Sequence, residues 1–192
     1  MDFDKIVEKR TSVTEFTSKK PSWKAAMLAI DAALQGPFAG NKNNLKFIIV
    51  EHPDTIKQLA KHAQQNWIAT SKLTIVVCSD DTIQEDMYGD RGRVYSRQQA
   101  GAAINTILFK LVDQGLSGCW VGAYTDEMIR HILKIPGHMQ VEAIIPVGYP
   151  ALKQKKKRKL SLTPSVKWET FEGERRPTAT EEHELTYHSE NR

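Results

Sequence analysis

Cysteine is nearly absent: the 192 residues hold two, Cys78 and Cys119. They stand far apart, form no CxxC pair and neighbour no histidine cluster. Neither a disulfide framework nor a zinc or other metal site is therefore expected, and the thiols are expected to be reduced in a cytoplasmic setting. No apolar run is long enough to cross a bilayer, so no membrane partner is expected. The start, Met1-Asp-Phe-Asp-Lys5, lacks the basic and apolar regions of a signal peptide. No GxGxxG joins a strand to a helix and no GxxxxGK(S/T) occurs, which disfavours a Rossmann site or a P-loop. There is no GxSxG elbow and no Ser/His/Asp order, and the six histidines are scattered. With hydrolysis by side chains disfavoured, chemistry by a bound cofactor is the remaining direction. The chain shows no internal repeat.

Hydrophobic residues make up 40% of the chain, enough for one real core. We read residues 1–163 as a single domain and 164–192 as a C-terminal extension. The net charge of +4 hides an asymmetry. Glu169 to Arg192 holds seven acids and three arginines, so this stretch is −4 and the remainder +8. The basic body suits anionic ligands or nucleic acid, and an acidic tail could equally lie across a basic surface of the same or another subunit.

The stretch from Tyr95 to Ala123 is the most informative. Ala100, Ala103, Ile104, Ile107, Leu108, Leu111 and Val112 recur at steps of three and four, one apolar face of a helix. Gly101, Ala102 and Ala103 keep its first half thin, so something can approach closely. Gly115 stands at the C′ position, which tolerates left-handed backbone. Leu116-Ser-Gly-Cys-Trp-Val-Gly-Ala123 follows. A buried helix feeding a glycine-rich turn suits a flat cofactor lying on main chain. Periodicity alone favours the plainer reading, a core helix and a turn.

Around this centre, Phe3, Ile6 and Val7 mark a short helix ending near Lys9. Arg10-Thr-Ser12 beside its end can gather guanidinium, hydroxyl and N–H groups on an anion, or be a solvated loop. Pro21-Ser22 opens a helix from Trp23 to Gln35 with Ala26, Met27, Ile30, Ala33 and Leu34 on its buried side. In the loop Pro37 to Asn44, Asn41 and Asn43 can read a polar heteroaromatic edge or stabilise an Asx turn. Leu45–Glu51, Leu73–Ser79 and Val141–Val147 read as three buried strands, and Pro146 argues for the end or edge of the third. Asp54 is read as the cap of a helix from Thr55 to Gln65. Asp80-Asp81 reads as a strand-end turn, and Tyr88 to Gly92 as a loop before the central helix. Thr125 or Asp126 caps a short helix carrying Met128, Ile129, Ile132 and Leu133. Lys153 to Lys159 has six cations in seven residues. It is a solvated run, or a nuclear-targeting or nucleic-acid patch without the interleaved aromatics that single-strand binding favours. Val166 to Phe171 reads as an edge strand, and the chain from Gly173 onward as an extended or disordered tail.

Taken in order, these pieces resemble the nitroreductase family of FMN-dependent oxidoreductases. The resemblance rests on Arg10-Thr-Ser-Val-Thr-Glu-Phe16, the Pro37 to Asn43 loop before a strand and Gln65 ahead of the next strand. The small-residue helix, Gly115-Leu-Ser-Gly-Cys-Trp-Val-Gly122, Ile145-Pro-Val-Gly-Tyr-Pro150 and the basic run complete it. It covers roughly residues 3–160. It implies an α+β fold, a mixed, mostly antiparallel sheet flanked by helices. It also implies an intertwined homodimer with two FMN sites at the interface, the central helix packed on its mate and the extension crossing the partner.

The resemblance also assigns cofactor-binding roles. Arg10, Thr11 and Ser12 would hold the FMN phosphate, joined by Lys157 and Arg158. Pro37, Phe38, Ala39 and Asn41 would approach from the second subunit, with Asn43 where the family often has Gln. Gln65 would reach the flavin's polar edge or ribityl chain. Trp120, Val121, Gly122 and Ala123 would run beside the isoalloxazine, the Gly122 N–H near N5. No side chain is given a catalytic acid–base role. NADH or NADPH would donate hydride and a nitroaromatic or quinone-like molecule accept it, in a ping-pong cycle. The chain departs from the pattern at Thr11 and Thr14, where basic residues are common, and at Asn44-Leu45, where Pro-Trp is usual. Alternatives are a reductive dehalogenase or flavin-fragmenting enzyme of the same fold, or a basic nucleic-acid-binding module, the least favoured partner class.

Overall fold

The computed structural model describes residues 2–152 and 161–173. The chain divides into two units, Met1–Lys157 and Arg158–Arg192. The larger unit runs α1 (Phe3–Lys9), α2 (Trp23–Leu34), β1 (Leu45–Val50), α3 (Pro53–His62), β2 (Leu73–Asp80), α4 (Asp81–Tyr88), α5 (Arg91–Asp113), β3 (Ser117–Gly118), α6 (Asp126–Leu133) and β4 (Met139–Gly148).

The four strands lie in the order β1-β2-β4-β3, each neighbour antiparallel. Among the described residues, the one parallel pairing beside them is the bridge from Ser12 to Gly118. Helices cover both faces. On one, α2 and α5 pack on Leu73, Ile75, Val77, Ala143 and Ile145. On the other, Ile56 and Leu59 of α3 and Ile129 of α6 pack on Val76, Cys78, Val141 and Ile144. Both sides of β2 are thus buried, which is why Leu73 to Ser79 is an unbroken run rather than an alternating one.

Helix α5 is the spine. Its apolar stripe from Ala100 to Val112 is buried throughout. Gly92 and Gly101 inside it each cost about 1 kcal/mol of helix propensity. Burial of Ile104, Ile107 and Leu111, roughly 1.5–3 kcal/mol each, outweighs that. Gly115 at φ +74° ends it as expected. Leu116 N–H bonds the Leu111 carbonyl at 2.8 Å and Gly115 N–H that of Val112 at 3.0 Å, the paired closure of a Schellman motif.

Several sequence expectations are corrected. Helix α2 buries Ala26, Ala29, Ile30 and Ala33, while Met27 and Leu34 face outward, as Met128 does on α6. Asp54 does not cap α3; it lies in the first turn, bonded to Lys57 at 3.3 Å, and His52 holds the cap position. Tyr88 belongs to helix α4, whose cap is Asp80 through a bond from Thr82 N–H at 3.1 Å. Pro146 is in a central strand, not at an edge. Ile144 and Val121 exchange both main-chain bonds at 3.0 Å. Two residues on, Pro146 faces the same side, where the chain at Cys119-Trp120 leaves the ladder, so its missing N–H breaks nothing. Val166 to Phe171 forms no strand. In the smaller unit this segment closes on itself through Trp168 N–H to the Gly173 carbonyl at 2.9 Å.

Candidate functional site

Where α1 ends, the chain extends from Arg10 and runs beside β3. Ser12 bridges Gly118, and Val13 N–H reaches the Gly118 carbonyl at 3.4 Å. A side chain at Gly118 would be crowded. A Cβ there would lie 3.1 Å from the Pro146 carbonyl oxygen and 3.3 Å from Leu108 Cδ2. Cys119, the next residue, shares a hydrogen bond with the Ser12 side chain and lies within the field of Arg10. Burial raises its thiol pKa, and Ser12 and Arg10 pull the other way. Cys78, buried in β2, is pushed up to about 11 by desolvation. Neither thiol is ionised at neutral pH. Arg10, Ser12 and Cys119 thus form one patch at the β3 edge; Thr11 between them is half-buried.

The next four residues divide their tasks. Trp120 is 43% exposed and lies over α5, its Cη2 3.7 Å from where a Cβ on Gly101 would stand. The indole therefore lies against the thin half of the central helix. Val121 is buried, and its main chain is used by Ile144. Gly122 and Ala123 are exposed. Tyr124 then turns inward, its hydroxyl donating to the Val141 carbonyl at 2.8 Å. Burial, then Asp126 and Cys78, raises its pKa against the lowering by Arg97.

The Pro37 to Asn43 loop sits elsewhere. Its Ala39 N–H donates to Gln99 Oε1 at 2.6 Å. Gln99 and Gly101 are two residues apart on α5, about 200° around the helix. Within one chain the loop and Trp120 therefore lie on opposite sides of α5. Asn43 Oδ1 accepts from Leu45 N–H at 2.9 Å, the Asx turn that the sequence left open. Asn41 is exposed, in left-handed backbone at φ +55°. Pro37 is exposed and Phe38 half-buried. Gln65 follows α3, and its Oε1 accepts from Trp67 Nε1 at 3.1 Å. Thr125 N–H to the His62 carbonyl, 3.0 Å, ties that corner to the segment after Ala123. Lys157 and Arg158 lie outside the described residues.

Sequence reasoning passed over two polar groups. One is a buried chain of amides around Asn44 and Gln99. Ser96 and Gln99 continue the buried stripe of α5, so polar residues on an apolar face were the available signal. The other is Arg97, which bonds Asp81, Glu142 and, at 3.0 Å, Ser79 Oγ. Glu142 is the extra residue of a β-bulge opposite Val77 and Cys78, and the bulge turns it toward Ser79, whose Oγ donates to it at 2.5 Å. A surface hollow lined by Arg130, His131 and Lys134 of α6 and its end contains none of the expected site residues.

Residues 63–149 match the model of the Nitroreductase family. A protein of Methanothermobacter thermautotrophicus that carries the provisional name NADH dehydrogenase/NAD(P)H nitroreductase is 26% identical over 156 residues, 79% of this chain and 78% of its own. The iodotyrosine deiodinase of Thermotoga neapolitana is 23% identical over 164 residues, 76% of this chain and 87% of its own. Among solved structures, the FMN-dependent nitroreductase of Clostridium difficile R20291 is 21% identical and superposes with a TM-score of 0.75, over 86% of this chain and 98% of that one. Residues 63–149 thus match the Nitroreductase family model, and the chain shares the fold of the Clostridium difficile nitroreductase.

Proposed function

We propose that this chain is an FMN-dependent oxidoreductase, acting as a pair of identical chains, that moves hydride from NAD(P)H to a small acceptor such as a nitroaromatic or a quinone. One observation carries the reading: Arg10, Ser12 and the glycine-bounded main chain from Gly118 to Ala123 meet at one edge of the sheet. The residues fit the group. A guanidinium and a hydroxyl suit a phosphate dianion, and exposed main chain at Gly122 and Ala123 suits the face of a planar ring. The name of the Clostridium difficile relative supports the same cofactor. FMN, when bound, supplies a site that takes up and returns hydride.

The chain supplies the rest. Arg10 and Ser12 would hold the phosphate. Trp120 would shield the bound ring from water. The Gly122 N–H would serve as a fixed donor that favours negative charge developing on the ring. The Pro37 to Asn43 loop lies across α5 from Trp120, so it completes the site of a second copy rather than its own. Donor and acceptor use the same space in turn, and positioning rather than acid–base catalysis accounts for the rate.

The test is an anaerobic titration of the FMN-loaded protein. NADH or NADPH is expected to bleach the flavin absorption, and a quinone or nitroaromatic to restore it. A flavin that stays oxidised with both nicotinamides overturns the reading. A second reading, reductive dehalogenation, is favoured by the likeness to an iodotyrosine deiodinase. Halide release from a halophenol by the reduced protein, absent quinone turnover, would select it.

A further inference from the structure

The Pro37 to Asn43 loop has no fully buried residue, and Phe38 is its one side chain packed on the core. Its short 3-10 turn, Ala39–Asn41, has no buried residue, and two successive residues, Gly40 and Asn41, stand in left-handed backbone at φ +57° and +55°. Something else must fix its course. Two buried glutamines hold its main chain. Gln99 of α5, 5% exposed, accepts from Ala39 N–H at 2.6 Å; Gln84 of α4, fully buried, donates from Nε2 to the Lys42 carbonyl at 2.9 Å. Gln84 Oε1 has no hydrogen-bond partner among the described residues, so that amide is kept at a desolvation cost for the sake of one loop carbonyl.

Gln99 is itself oriented by Asn44, 1% exposed. Gln99 Nε2 donates to Asn44 Oδ1 at 2.7 Å, and Asn44 Nδ2 donates to Ser96 Oγ at 2.8 Å and to the Asp80 carbonyl at 3.0 Å. The Asn44 carbonyl accepts from Asp80 N–H at 2.8 Å. Each bond fixes which end of the next amide is oxygen, so the order from Asp80 to Ala39 has one sense. A proline at 44, usual in the pattern that the chain resembles, would supply no side-chain bond to this relay.

We propose that Asn44 and Gln99 are positioning residues that hold the Pro37 to Asn43 loop in its ligand-ready course before any ligand arrives. The proposal rests on the flavin reading for what the loop touches, and on the relay alone for how it is held.

The test uses the full chain with Gln99→Met, which keeps volume and removes both the carbonyl and the NH2 of the side-chain amide, and Asn44→Ala as the second variant. In the absence of flavin, amide hydrogen exchange is expected to lose protection at residues 38–43 in Gln99→Met while β2 and the second half of α5 stay protected. The FMN Kd is expected to rise about tenfold, with a shifted visible spectrum and midpoint potential of the bound flavin. The double variant is expected to cost little more than either single change, since both break one relay. Unchanged loop protection in Gln99→Met overturns the proposal. So do a wild-type Kd, spectrum and potential beside a lowered melting temperature, which mark a purely structural role. If the wild type binds no FMN, the flavin reading fails, and the exchange measurement still decides the relay.

Discussion

Gly92→Ala is expected to lower the free energy of unfolding by about 3 kcal/mol, the upper end of the range for overpacked cores. Gly92 is buried in the first turn of α5, against α4. A Cβ there would stand 2.3 Å from the Gln84 carbonyl carbon, 2.4 Å from its oxygen and 2.5 Å from Glu85 N. All three atoms are backbone, so no side chain can swing aside; α4 must shift as a body. Elsewhere in a helix the same change gains about 1 kcal/mol of propensity, and here the collision reverses the sign. Gly101→Ala is the control. Its Cβ would meet Trp120 at 3.7 Å, an ordinary contact, so stability should hold or rise slightly. Thermal unfolding of the two variants checks both, with a drop of roughly 6–12 °C for Gly92→Ala in a chain of this size. A Gly92→Ala protein as stable as the wild type would refute the close approach.

Arg10→Ala is expected to weaken FMN binding by roughly 10–100-fold, the range for a lost charge-assisted hydrogen bond of about 1.5–3 kcal/mol. The affinity for riboflavin, which has no phosphate, should stay near the wild-type value. Arg10 is half-buried at the end of α1 and outside both apolar clusters, so the fold should tolerate its loss. Flavin-fluorescence titrations with both ligands separate the cases. An equal loss for FMN and riboflavin would remove Arg10 from the phosphate site.

How much of this was legible in the sequence depended on how locally each feature is encoded. The α5 stripe and the stop at Gly115 were plain, because a 3.6-residue period and a left-handed glycine are properties of the chain itself. Helix α4 was not, since the only residue it buries is polar Gln84 and it shows no apolar stripe. In α2 nearly every residue is apolar, so periodicity could not choose a face. Packing against α5 chose the small one, Ala26, Ala29 and Ala33, and left Met27 outside. Strand β3, two residues long, exists only through its partner β4 and had no pattern of its own. The patch of Arg10, Ser12 and Cys119 joins segments a hundred residues apart, which only the likeness of motif order could anticipate. The Asx role of Asn43 was one of two open readings, and geometry selected it.

The placement of Gln99 and Gly101 on opposite sides of α5 has a genetic corollary. In the proposed pair of chains, a lesion at Arg10 and a lesion at Asn44 damage different halves of each reaction chamber. Mixed pairs made from one chain of each kind concentrate both faults in one chamber and leave the other whole. Two impaired alleles of this gene, expressed together, should restore part of the activity that each has lost.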